Sequence, residues 1–327
     1  MELSTVMENL TNPALLFFLL GICAVQFKSD LEIPPTSSKF ISIYLLLSIG
    51  FKGGQELAHS GMNFESLSSI ALGLTLATVI PVTSFFILKG KLGVDNAAAI
   101  AASYGSVSAV TFVTATSFLD FESITFSGHM IAVMAIMEAP AILVGVVLLN
   151  YFKRNQRNEL GQAPFSKILA HSFTNGSVFL LLGSLIIGYL TDPTQAQGIQ
   201  PFVSDIFKGF LIVFLLDMGI TSGRHLAAML KEGIFPIVFA MAMPFLHGLI
   251  ALFISMKITA EPGNQMLFAI LGASASYIAV PAAAKHAIPK ANPGLYLPMA
   301  LGITFPVNIL LGIPLYYSII TAFQFPS

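Results

Sequence analysis

Tryptophan is absent from the 327 residues, cysteine occurs once, and charged side chains make up only 9%. Each scarcity removes a class of protein. One cysteine, Cys23, cannot build an intramolecular disulfide framework or a cysteine metal cluster, and is expected to pack as a small apolar residue. A net charge of −1 offers no electrostatic footprint for nucleic acid. Soluble domains carry roughly a quarter charged residues. At 55% hydrophobic and a mean hydropathy of +0.83, this is a polytopic membrane chain. Without Trp, an interfacial aromatic belt must come from Tyr. Tyr151, Tyr189, Tyr296, Tyr316 and Tyr317 fall near the ends of apolar segments. Enzyme signatures are missing as well. There is no H-E-x-x-H, no G-x-S-x-G, no Walker loop and no aspartate-rich diphosphate motif. No enzymatic activity and no organic cofactor are expected, nor ATP-driven transport by this chain alone. The N-terminus is acidic (Glu2, Glu8) and lacks the basic start of a cleaved signal peptide, so the first apolar segment reads as an uncleaved span.

Ten apolar segments can be drawn, at about 13–27, 38–57, 64–89, 95–118, 124–152, 166–191, 201–223, 232–257, 264–286 and 293–322. A spanning helix needs about 20 residues. Lys and Arg lie in alternate loops: Lys28 and Lys39; Lys89 and Lys91; Lys153, Arg154, Arg157 and Lys167; Arg224 and Lys231; Lys285 and Lys290. That is twelve of the fifteen, leaving Lys52, Lys208 and Lys257 for the other side. Positive loops stay cytoplasmic, so both termini are expected in the periplasm of a bacterial inner membrane.

The chain repeats itself. Tyr104-Gly105-Ser106-Val107-Ser108-Ala109-Val110-Thr111, inside segment 4, returns in segment 9 as Gly272-Ala273-Ser274-Ala275-Ser276-Tyr277-Ile278-Ala279. Ser106 aligns with Ser274, Ser108 with Ser276, Asn96 with Asn264 and Ala101 with Ala269. Leu47-Ser48-Ile49-Gly50 and Gly54 match Leu216-Asp217-Met218-Gly219 and Gly223; Pro140 and Tyr151 match Pro306 and Tyr317. Each repeat, 1–160 and 161–327, therefore holds five spans. Five is odd, so the second repeat enters the membrane from the opposite side. The expected fold is all-α: ten transmembrane helices in two inverted five-helix repeats, with broken helices 4 and 9 crossing at the midplane.

Matched polar interruptions in two halves of a membrane chain point to a transporter's binding site. Gly105 and Gly272 permit backbone that other residues resist. A break at each would aim two helix N-termini, each with roughly half a positive charge, at one point. Ser108 and Ser276 are the N-cap candidates there, and Pro281 suits the first turns of such a half-helix. The geometry suits a small anion, while the opposing C-terminal carbonyls suit a cation. The plain alternative is close packing through small residues. Glu138 lies mid-segment, where a carboxylate costs about 2.5–3.5 kcal/mol without a partner. Pro140 frees the carbonyl of Ile136 beside it, making a hard oxygen site for sodium or a proton. A protonated structural glutamate is the other reading. Thr304 and Asn308 are the matching oxygen-bearing residues of segment 10. Asp217 admits a solvated, paired or coupling role, and His247 beside Gly248 reads as a packing histidine.

These residues resemble the sodium-dependent bicarbonate transporter family of cyanobacterial type. The likeness rests on Gly105 to Thr111, on Met137-Glu138-Ala139-Pro140-Ala141, on Ile288-Pro289-Lys290-Ala291-Asn292-Pro293, on Pro306, on Ile313-Pro314-Leu315 and on the spacing from Ser274 to Pro281. The resemblance implies a mobile core of helices 3–5 and 8–10 on a scaffold of helices 1, 2, 6 and 7. It implies a homotrimer, elevator-like symport of Na+ with bicarbonate, and a PII-like regulatory partner. Carried over by position, it points to Gly105, Ser108, Thr111, Ser274 and Ser276. With Ser106 these form the expected anion site; Glu138, Ser108, Ser276, Thr304 and Asn308 form the expected Na+ site. The chain departs from the family at Ala109 and Val110, where serines are usual, at Tyr277 (acidic in the family), at Ala279 (serine) and at Glu138 (aspartate). Its loop between spans 5 and 6 is short, which weighs against the PII-like partner. The competing readings are a proton- or sodium-coupled carrier of another small organic anion, an intramembrane enzyme, and a channel.

Overall fold

The computed structural model describes residues 13–61, 63–153, 176–229, 232–277 and 279–324. Glu2, Glu8, Arg154, Arg157, Lys167, Lys231, Ile278, the start of segment 6 and the repeat boundary at 160 lie outside them. Among the described residues every regular element is helical and none is a strand. In hydrocarbon the backbone must satisfy itself, which leaves a helix as the solution for an apolar run.

Three helices precede the first break, α1 (Pro13–Gln26), α2 (Pro35–Ser60) and α3 (Phe64–Gly105), and α4 (Ala109–Phe121) follows it. Then come α5 (His129–Phe152), α6 (Gly176–Leu190), the short α7 (Pro193–Gln200) with a π-turn after it, and α8 (Phe207–Met229). The chain closes with α9 (Ile234–Ser255), α10 (Pro262–Ala273), α11 (Ala279–Ala287) and α12 (Pro293–Phe323). Several starts are written in the sequence. Pro35, Pro193, Pro262 and Pro293 open their helices, where the missing N–H costs nothing. Asn63 caps α3 by accepting from the Ser66 amide at 2.8 Å. Along α12, π-turns at Met299–Thr304 and Asn308–Gly312 flank Pro306.

By length and apolarity, four described stretches can cross a membrane: Phe64–Phe121, His129–Phe152, Ile234–Ser255 and Pro293–Phe323. The shorter Leu16–Gln26 and Phe179–Leu190 are also apolar. Helices α2 and α8, of 26 and 23 residues, are long enough but carry polar residues such as Ser48 and Asp217. Phe64–Phe121 is 58 residues long. At 1.5 Å per residue it would run about 87 Å if straight, nearly three bilayer cores. It folds back at Gly93, whose φ of 78° favours glycine. Gly105 then meets Pro81: a β-carbon there would lie 2.0 Å from the proline Cγ. Residues equidistant from Gly93 touch, so α3 is a helical hairpin.

Helix α2 packs on α6 and α8 on α1. The same glycine spacing serves both crossings. Gly50 and Gly54 sit against Leu181 and Leu185 of α6; Gly219 and Gly223 sit against Phe18 and Val25 of α1. Small residues let backbones approach where lipid gives no hydrophobic drive. Helices α3 and α5 pack together, as do α9 and α10.

Some expectations change. Cys23 is exposed rather than packed. Of the tyrosines expected in an interfacial belt, Tyr151 and Tyr189 are 72% and 49% exposed, whereas Tyr296 and Tyr316 are buried and so cannot serve there. Segment 5 starts its helix at His129 rather than near 124, because Ser127 and Gly128 belong to a loop tied elsewhere.

Candidate functional site

The first break comes at Ser106, extended at φ −85°, ψ 160°; the second comes at Ser274, at φ −83°, ψ 163°. The two backbones leave their helices in the same way. Ser108 caps α4, its hydroxyl accepting from the Thr111 amide at 3.1 Å. The Ser276 hydroxyl accepts from the Val280 amide at 3.4 Å, at the start of α11. Ser108 is the N-cap expected, while Ser276 stands three residues before the first helical residue of α11 and reaches its first turn through the Val280 amide.

The breaks touch. The Ser276 amide donates to the Ser103 carbonyl at 2.8 Å, and the Ser103 hydroxyl donates back to the Ser276 carbonyl at 2.6 Å. The Ser108 amide donates to the Ser274 hydroxyl at 3.2 Å. Two amides freed by the breaks are thereby spent on the opposite repeat. The first-turn amides of Ala109 and Val110 have no partner within their helix by position. Ser103 was not among the expected site residues. Repeat alignment pairs it with Leu271, which has no hydroxyl, so symmetry could not flag it.

Gly105 and Gly272 play a different part from the one expected. Neither has a positive φ. They are close-packing points, Gly105 against Pro81 and Gly272 against Ala251 and the His247 carbonyl. Thr304 and Asn308 are likewise engaged elsewhere. Thr304 donates to the Ala240 carbonyl at 2.8 Å and meets the Tyr104 hydroxyl at 2.7 Å. Asn308 donates to the Ala273 carbonyl at 2.6 Å, occupying one of the C-terminal carbonyls that a cation could have used. Ser106 and Thr111 are buried; the Ser106 hydroxyl has no partner among the described residues. His247 is buried and faces Thr83 at 3.2 Å, as a packing histidine does. Asp217 is buried beside Ser38.

Ser108, Ser276 and Glu138 wall one cavity of about 690 Å³. The same side adds Val107, Ala109, Val110, Val113 and Tyr277. The facing side is α2 from Lys39 to Leu46, with Leu180 of α6 and Phe214 of α8. Glu138 is half-buried and has no hydrogen-bond or ion-pair partner among the described residues. A second cavity of about 610 Å³ lies toward the other end of α2, between Lys52, Gln55 and His59 and the outer ends of α4 and α5.

Two asparagines knit the halves. The Asn96 side chain accepts from the Asn292 amide at 2.8 Å, just before α12. The Asn264 side chain accepts from the Ser127 amide at 2.8 Å, just before α5. Asn264 also donates to Glu261 at 3.0 Å and to Ser127 at 3.0 Å. Aligned residues thus make the same cross-repeat tie.

Comparison with curated proteins gives no match. A family match runs over residues 13–321, nearly the whole chain, and includes both breaks, Glu138 and the asparagine ties. The chain belongs to the Na+-dependent bicarbonate transporter superfamily.

Proposed function

We propose that this membrane protein is a secondary transporter that takes up bicarbonate, or a similar small anion, together with Na+. The observation that carries the reading is the shared cavity of Ser108, Ser276 and Glu138, built from both halves of the chain. The anion would sit against the first turn of α4, where the free amides of Ala109 and Val110 and the Ser108 hydroxyl favour negative charge. The cation would take the Glu138 carboxylate, which lacks a protein partner, and the carbonyl of Ile136 released by Pro140.

We further propose ten spans in two inverted repeats, with both termini periplasmic. The paired glycine crossings and paired asparagine ties support the repeat; the uneven Lys and Arg loops support the orientation. An elevator-like motion fits the same arrangement. Helices α3–α5 and α9–α12 would form the moving core, and α1, α2, α6 and α8 the scaffold. Both cavities lie along that boundary, at opposite ends of α2. Lys39 and Gly176 line the serine cavity and flank loops expected in the cytoplasm, so this conformation is open inward.

The size and apolar walls of the 690 Å³ cavity favour a second reading, a larger organic carboxylate. Radiolabelled bicarbonate uptake into proteoliposomes, with and without a sodium gradient and with competing carboxylates, separates the two. Glu138→Gln should cut sodium-driven uptake at least about tenfold, since it keeps the shape and removes the charge. Unchanged sodium dependence in that variant would place the cation elsewhere.

A further inference from the structure

Among the described residues lining the serine cavity, only Lys39 and Glu138 carry formal charge. Lys39 lies in the first turns of α2, exposed, with no ion-pair partner among the described residues. Glu138 lies on α5 across the core–scaffold boundary. The remaining wall is mostly apolar. The sodium–anion reading above gives Lys39 no task.

We propose that Lys39 selects the anion at this site and that, with Glu138, it sets one-for-one loading by a monovalent cation and a monovalent anion. The inference rests on the proposed transport function. Its logic is charge balance. With Glu138 ionised, the two charged groups of the described lining, one positive and one negative, balance. A lone sodium ion leaves the cavity with one excess positive charge, and a lone anion with one excess negative charge. An uncompensated charge in a partly dehydrated, apolar cavity is costly. Binding both ions restores neutrality. A lysine ammonium is a compact point charge on a flexible stem, suited to meeting a small anion at a mouth. A cleft with low-dielectric walls focuses that field and raises the local anion concentration.

The charge reading predicts effects of opposite sign on the two ions. In the full-length protein in liposomes, Lys39→Gln should raise the half-saturating bicarbonate concentration about three- to tenfold. It should lower the half-saturating sodium concentration, because the cavity becomes net negative. Both changes should shrink when choline chloride raises the ionic strength. Lys39→Arg should hold both constants near wild type. Lys257→Gln, outside the cavity, should move neither. The same titrations read as ligand-induced thermal stabilisation of the purified protein give the two constants without transport. Unchanged constants in Lys39→Gln would make the lysine a solvated side chain at a helix start. A parallel loss for both ions would make it a packing residue. A wild type with no sodium dependence overturns the coupled reading instead; a raised bicarbonate constant in Lys39→Gln would then still support the anion role.

Discussion

The two broken segments leave their helices with nearly the same backbone angles, yet they are braced differently. At the second break every hydroxyl is occupied. Ser274 accepts from the Ser108 amide and donates to the Leu271 carbonyl at 3.2 Å; Asn308 holds the Ala273 carbonyl; Ser276 is pinned to Ser103 through its amide and carbonyl. At the first break the Ser106 hydroxyl has no partner among the described residues, and the Ser108 hydroxyl accepts from its own helix start at Thr111 and meets Tyr277. Among the described residues, the first break faces the cavity with Val107, Ser108, Ala109 and Val110, and the second with Ser276 and Tyr277. On the proposed transport reading, the second break is the brace and the first is the wall that faces the ligand. The two breaks share one backbone course, and side chains such as Ser103, with no counterpart hydroxyl at Leu271, make them differ.

The sharpest way to break this comparison is steric. Gly105→Ala would place a β-carbon 2.0 Å from the Pro81 ring, whereas Gly272→Ala meets Ala251 at 2.8 Å. Overpacking costs typically 1–3 kcal/mol and more when backbone or ring cannot yield. The Gly105 variant should lose its monodisperse detergent-solubilised peak, and the Gly272 variant should only melt earlier. Equal behaviour of the two would mean that the Gly93 hairpin is looser than its contacts indicate.

A smaller effect separates the caps. Ser108→Ala removes a cavity-facing hydroxyl and should weaken substrate affinity roughly tenfold to a hundredfold, the worth of a hydrogen bond to a charged group. Ser276→Ala should weaken it about three- to tenfold, since this hydroxyl makes the longer cap and its backbone is held by Ser103. Uptake kinetics in folded, membrane-inserted protein decide the order; a larger loss at Ser276 would reverse the assignment of wall and brace.

The smallest effect belongs to Ser106. Its buried hydroxyl makes no bond with the described residues, so Ser106→Ala removes an unsatisfied group and should leave the melting temperature unchanged or slightly higher. If substrate affinity falls instead, that hydroxyl reaches a ligand and the first break is more fully ligand-facing than its lining indicates.

The sequence by itself determined the class, the breaks and their caps. Low charge and long apolar runs leave helices as the membrane solution, and a small-residue motif repeated in both halves marks where those helices stop. Ser108 and Ser276 were legible as caps because a hydroxyl next to a helix start acts locally, through an amide three or four residues on. Glu138 was legible because a carboxylate in an apolar segment stands out. What lay beyond the sequence was everything that depends on a partner distant in the chain. Gly105 looked like a conformational hinge and is a packing point, since only the hairpin at Gly93 brings Pro81 to it. Thr304 and Asn308 looked like cation ligands by symmetry with segment 5; the fold ties the Thr304 hydroxyl to Ala240 and Tyr104 and the Asn308 side-chain N–H to Ala273, bonds that no local pattern announces. Lys39 read as a loop charge until the fold set it on the rim of the Glu138 cavity. Local chemistry is written in neighbouring residues; the tertiary structure decided which donors were left free to meet an anion, because an N–H or O–H donated to another helix cannot also be donated to a ligand.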